Sequence, residues 1–273
     1  MSICANFRKE AGRIWNQMHD AQKLGISLSE ETITETSLYN IARKHRSKDV
    51  LIVPATKPQE AKHGADWEWW FTRNGKGIGF RVQAKRLFPS GRYESLLKKK
   101  MPFQQLDKLV LKAHADDLNP LYCFYNFDMP KGGFSGHSNN CVHDYRGPSF
   151  WGCALALPED VRATGKDSIN DLRSILEPWH TLVCMTPGKN LLQSVALNIE
   201  HLSRRRTING IRREKAELRT QPREVPSYVA QLVELGRERR EGSDMAFPYI
   251  DHAFWSEAQA KPDVAGILVI DEV

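Results

Sequence analysis

The segment ADWEWWFTRNGKGIGFRVQAKRL, residues 65–87, decides the fold. Asn74-Gly75 at its centre is the dipeptide favoured where both corner residues of a two-residue hairpin need positive φ. The flanks are rich in aromatic and β-branched residues, so ADWEWWF at 65–71 and IGFRVQAKRL at 78–87 are predicted strands. Side chains alternate faces along a strand. Asp66 and Glu68 therefore share one face and Trp67, Trp69 and Phe71 the other; Arg81, Gln83 and Lys85 share a face, opposite Phe80, Val82 and Ala84. Paired antiparallel, the two strands gather two carboxylates, an amide, a lysine and an arginine on one side. The other side is an aromatic and aliphatic core surface.

Working outward, residues 5–22 are predicted helical, with Ile14, Met18 and Ala21 on one side. A second helix is expected from Ser27, where Ser27 and Glu30 suit a capping box, to about Arg46. VLIVPAT at 50–56 is a buried strand by composition, FQQLDKLVLKAHA at 103–115 an amphipathic helix, and PLYCFYNF at 120–127 another strand. The order is helix, three strands, helix, strand: an α/β fold with a meander rather than a βαβ repeat. Leu28, Glu31, Glu35, Leu38 and Ala42 fall on one face of the second helix at steps of three and four. Carboxylates on a packing face are costly unless paired or metal-bound.

Residues 128–150 carry no periodicity and read as a long loop or insertion. WGCALAL at 151–157 and TLVCM at 181–185 read as strands, and 190–206 as a helix ending in Arg204-Arg205-Arg206. Residues 207–243 are polar and Arg-rich with interleaved glutamates, the pattern of a solvated helical face. AGILVIDEV closes the chain as an apolar strand. The expected organisation is a core at 1–127, an insertion and continuation of the α/β domain at 128–206, and a region at 207–273 packed on the same domain.

The 273 residues, 41% hydrophobic and 26% charged, suit one large globular domain and exclude disorder or coiled coil as overall descriptions. A net charge of +6 is compatible with a polyanionic partner bound through a local patch. No apolar run approaches the roughly 18 residues of a membrane span, and the first residues lack the apolar core of a signal peptide, so the expectation is a cytoplasmic protein without membrane contact. Five widely spaced cysteines without a CxxC are expected to be reduced and mostly buried.

A helix glutamate, an aspartate on the second strand and a (D/E/Q)xK tripeptide on the third form a pattern that resembles the PD-(D/E)xK nuclease superfamily. Its variant with glutamine in the tripeptide, here Gln83-Ala84-Lys85, is similar to the Mrr-type restriction endonucleases, which also carry a glycine shortly before the aspartate, as Gly64 stands here. The resemblance covers roughly residues 28–127; Ala65 stands where the family usually has proline. It implies a restriction-endonuclease-like αβββαβ core and metal-dependent cleavage of DNA, in bacterial defence or DNA processing. Asp66, Glu35, Gln83 and the Ala84 carbonyl would then hold Mg²⁺ or Mn²⁺, and Lys85 would orient the attacking water or stabilise charge on the phosphate. Glu68 would make up for the charge missing at Gln83. Such hydrolysis needs a hard cation to polarise the phosphate and activate water. Arg81, Arg86, Gln104 and Arg204, Arg205 and Arg206 are the expected nucleic-acid contacts. RNA is as compatible as DNA, and a homodimer or a partner subunit would supply recognition. The rival reading is a nuclease-fold binding or interaction subunit without catalysis.

Other motifs carry less. Gly75, Gly77 and Gly79 mimic a dinucleotide fingerprint but do not open a helix. His137, Cys141 and His143, with Cys153, have residue types that suit zinc but no standard finger spacing, so ordinary buried or surface roles are preferred for them.

Overall fold

The computed structural model describes residues 2–45, 50–56, 66–97, 101–127, 141–143, 147–203, 207–208, 211–212, 216–241 and 264–273. Its centre is the predicted hairpin. β2 (Asp66–Arg73) and β3 (Lys76–Arg86) pair antiparallel from Arg73↔Lys76 to Asp66↔Gln83. Asn74 and Gly75 take φ of 51° and 74°, the doubly positive turn that matches the right-handed twist of the strands. Gly79 stands opposite Trp70 in this register. A Cβ there would meet Trp70 at 2.8 Å and Leu118 at 2.4 Å, so the glycine serves the packing of an indole across the strand and no phosphate loop.

α1 (Ile3–Lys23) and α2 (Glu30–Lys44) precede the sheet. The N-cap of α2 is Ser29, which accepts from the Thr32 N–H at 3.1 Å. The cap predicted at Ser27 is thus displaced by two residues. β1 (Val50–Thr56) follows, then the hairpin, α3 (Gln104–Ala115) and β4 (Asn119–Tyr125), which lies parallel to β3. β5 (Cys153–Ala156) and β6 (Glu177–Pro178) extend the sheet antiparallel, with α4 (Pro158–Thr164) and α5 (Ile169–Leu172) between them. α6 (Leu191–Ser203), a two-strand ribbon of β7 (Thr207–Ile208) and β8 (Ile211–Arg212), β9 (Arg223–Glu224), α7 (Ser227–Glu241) and β10 (Gly266–Glu272) complete the chain. β9 pairs with the start of β3. The expected strand at 181–185 is absent: a 3-10 turn covers Trp179–Thr181, and residues 182–185 follow as turn and loop. No helix among the described residues is long and apolar enough to cross a membrane.

The main sheet has eight strands in the order β1-β10-β2-β3-β4-β5-β6, with β9 off this path. The meander expected from the sequence is therefore broken. β10 inserts between β1 and β2, antiparallel to the first and parallel to the second. Its alternate residues Leu268 and Ile270 join one core, and Ile267 and Val269 the other. A strand apolar on both faces belongs in the middle of a covered sheet, and β10 takes that place.

The larger core joins α1, α2 and α6 to Trp67, Trp69, Phe71, Phe80 and Val82. Trp179 donates to the Phe7 carbonyl at 2.8 Å and packs its ring on Phe7, tying α1 to the sheet edge. The smaller core joins Val229, Leu232 and Val233 of α7 to Trp70, Leu51, Val53 and β10. Trp15, Trp67, Trp69, Trp151 and Trp179 are buried in the larger core and Trp70 in the smaller. A ring burying about 150–250 Å² contributes roughly 4–6 kcal/mol before chain entropy is subtracted. β9 and β10 are thus part of the main sheet, and α7 packs against it.

Candidate functional site

The polar face of the hairpin forms as its period predicts. In register, Asp66 stands opposite Gln83 and Glu68 opposite Arg81. The face is covered, however, and its members divide into two groups.

The inner group is committed to the fold. Glu68, 2% exposed, accepts from the Tyr228 hydroxyl at 2.6 Å and from the Trp70 indole at 3.2 Å. α7 therefore closes over it. Burial and the adjoining Glu68 carboxylate push the Tyr228 hydroxyl well above its usual pKa, so it stays a proton donor. The Arg81 guanidinium is fully buried and donates to Asp116 at 3.0 Å. The expectation that Arg81 meets a phosphate is corrected by that burial: a side chain under the loop after α3 presents nothing to a ligand at the surface.

The outer group sits where β3 ends and β2 begins. Asp66 opens β2, and Gln83 and Lys85 are 5% and 3% exposed. The N-terminus of α2 abuts this end. Glu30 places one carboxylate oxygen 3.7 Å from Lys85 Nζ and accepts from the Arg86 N–H at 3.1 Å with the other. Arg86 donates to Ser27 at 2.9 Å and stacks over Phe88, 3.8 Å from the ring centroid. A cleft of about 210 Å³ opens beside it, lined by Met18, Ala21, Ser27, Arg86, Phe88 and Phe127 among others. The carboxyl ends of the parallel strands β3 and β4 thus face a concave surface, the position at which open α/β sheets commonly bind ligands.

Glu35 is not part of this group. It is exposed, as is Glu31, while Ile33, Thr34, Ser37, Leu38 and Ile41 form the buried side of α2. Of the face chosen from Leu28, Glu31, Glu35, Leu38 and Ala42, Leu38 enters the core and Leu28 packs against it, whereas both acids are exposed. Following the rule back from Ile41 through Ser37 and Ile33 or Thr34 arrives at Glu30, so the signal was present in the helical phase. Of the remaining expected contacts, Gln104 is exposed at the start of α3 and Ala84 is buried in the larger core. Arg204, Arg205 and Arg206 lie outside the described residues.

A second constellation was only half visible in the sequence. All five cysteines are buried and unbridged. Cys4 from the first turn of α1, Cys141 and His143 from the segment 141–143, and Cys184 from the loop before α6 bring their ligand atoms within 4.8 Å of one another. Hydrogen bonds from Cys141 and Cys4 hold the Cys184 thiol down at about 2, while hydrogen bonding within the cluster pushes Cys141 up to about 11 and Cys4 well above the usual thiol range. Cys153, weighed with Cys141 and His143 as a zinc donor, is elsewhere: its Sγ lies 3.2 Å from that of Cys123 between β4 and β5. His137 lies outside the described residues.

Fold and site together define a mixed α/β protein with an eight-stranded mixed sheet flanked by helices and polar side chains gathered at its strand ends. The chain belongs to a family of unknown function, DUF6615, which it matches over residues 3–269. No curated protein and no solved structure matches it.

Proposed function

We propose that the protein is a metal-dependent nuclease of the PD-(D/E)xK kind, acting at the end of the β2/β3 hairpin. The reading rests on one observation: Asp66 is in register with Gln83, and Lys85, two residues on, faces the Glu30 carboxylate from the N-terminus of α2. Two acids, an amide oxygen and a lysine at a strand end are the donor types that hold a hard cation beside a phosphodiester and supply a charged group to the attacked phosphorus. In this reading Asp66 and Glu30, the latter in place of Glu35, are the charged ligands to Mg²⁺ or Mn²⁺. Gln83 adds a neutral oxygen, and Lys85 exchanges its ion pair with Glu30 for the phosphate. Arg86 and the cleft beside it receive the nucleic-acid backbone. The nuclease core comprises α2, β1, β2, β3, α3 and β4, with β10 as an inserted strand.

The test is cleavage of supercoiled plasmid, linear duplex, single-stranded DNA and RNA in Mg²⁺, Mn²⁺ or EDTA, with Asp66→Asn and Lys85→Ala beside the wild type. Cutting that needs the divalent ion and is lost in both folded variants supports the reading. A wild type that binds nucleic acid without cutting it favours the silent binding subunit. Variants that cut as fast as the wild type would falsify the assignment of the site.

A further inference from the structure

We propose that Cys4, Cys141, His143 and Cys184 bind a single Zn²⁺ as a closed, structural Cys₃His site. The geometry carries the inference. Cys4 Sγ lies 3.6 Å from Cys141 Sγ, and Cys141 Sγ lies 3.4 Å from Cys184 Sγ. His143 Nδ1 lies 3.9, 3.3 and 3.5 Å from the sulfurs of Cys4, Cys141 and Cys184. A tetrahedral zinc with Zn–S of about 2.3 Å and Zn–N of about 2.0 Å separates its ligands by about 3.8 Å for S–S and about 3.5 Å for S–N. The observed separations fall around those edges. They are far longer than the roughly 2.05 Å of a disulfide.

The chemistry selects the ion. Soft thiolates with one imidazole favour zinc, whereas the oxygen donors at the hairpin suit Mg²⁺. Binding displaces thiol protons to solvent as the sulfurs take the cation.

Four protein donors leave no open coordination position for a substrate, which marks the site as structural. Its place agrees. Cys4 is at one end of α1, whereas Met18 and Ala21, near the other end, line the cleft at the hairpin. The ion would fasten three stretches remote in sequence: the start of α1, the segment at 141–143 and the loop before α6. Residues 141–143 lie outside helix and strand, and the ion would join them to α1 and to the loop before α6.

The experiment uses the full chain purified without a histidine tag, loaded with Zn²⁺, desalted and analysed for metal. One zinc per chain is expected, with a fall in Tm on chelation. Replacement by Co²⁺ should give tetrahedral visible bands and a charge-transfer intensity matching three thiolates. Cys184→Ser should lose the metal, and His143→Ala, at an exposed position, should weaken it on the order of 10-fold or more in competition with a chelator. Cys123→Ser and Asp66→Asn should retain it, which separates this site from the other thiol pair and from the proposed nuclease centre. Because the readout is metal content and spectrum, it stands whether or not the protein cuts nucleic acid. A folded wild type that keeps no zinc, a cobalt spectrum with fewer than three thiolates, or undiminished binding in folded His143→Ala would overturn the proposal.

Discussion

The Glu30 carboxylate stands 3.7 Å from Lys85 Nζ and at the same time accepts the Arg86 N–H, so the first residue of α2 is fastened to the last two of β3. Lys85 is almost fully buried while Glu30 is one-quarter exposed. Glu30 thus sets a carboxylate against a buried lysine, next to Arg86, which lines the cleft.

Removing that partner has a defined consequence. Glu30→Gln should destabilise the protein by about 2 kcal/mol, less than the loss of a fully buried pair because water reaches the carboxylate. In the nuclease reading it should also slow cleavage by about 10²-fold, as the loss of a well-placed charged group does. Glu35→Gln, on the exposed side of α2, should change neither quantity. Denaturant titration and initial cleavage rates on the two variants decide between the two glutamates.

Arg86 borders the cleft, and its guanidinium is braced by Ser27 and Phe88. If it contacts a phosphate, Arg86→Ala should weaken nucleic-acid binding on all sequences alike. The slope of log affinity against log salt should fall in magnitude by about 1. Fluorescence anisotropy across a salt series measures both; an unchanged slope removes Arg86 from the interface.

Arg81 should behave in the opposite manner. Asp116→Ala removes a carboxylate to which the buried guanidinium donates and should cost about 2–3 kcal/mol, with Asp116 itself only 14% exposed. The affinity of the folded variant for nucleic acid should be that of the wild type, since Arg81 has no exposed surface to offer.

Tyr228→Phe isolates the contact between α7 and the hairpin. It deletes a hydrogen bond to a buried carboxylate and should lower stability by about 1.5–3 kcal/mol. Cleavage per folded molecule should be unchanged if Glu68 serves the fold rather than the metal. A specific loss of rate at full stability would return Glu68 to the reacting centre.

Gly79→Ala tests the close approach beneath Trp70. The added methyl meets Leu118 and the indole, so the hairpin must shift, at a cost of about 1–3 kcal/mol. Thermal unfolding should register it with no change in metal content.

What the sequence determined alone is local. The hairpin was legible because an Asn-Gly corner and a two-residue period act over a few positions, and they set the register that brings Asp66 to Gln83. The helices at 3–23, 30–44 and 104–115 followed from apolar spacing, and β1, β4 and β10 from short apolar runs. Tertiary structure decided everything that depends on distant segments meeting. β10 enters between β1 and β2 because a strand apolar on both faces gains most at the sheet centre, a preference that no neighbouring residue encodes. Glu30, and not Glu35, meets the end of β3 because the buried side of α2 is chosen by what packs on it, and Glu35 falls on the exposed side. The four proposed zinc donors lack finger spacing because they come from three segments up to 180 residues apart, and only the tertiary fold brings their atoms together. Arg81, basic and strand-borne, could be read as a ligand contact until the turn after α3 folded over it and supplied Asp116.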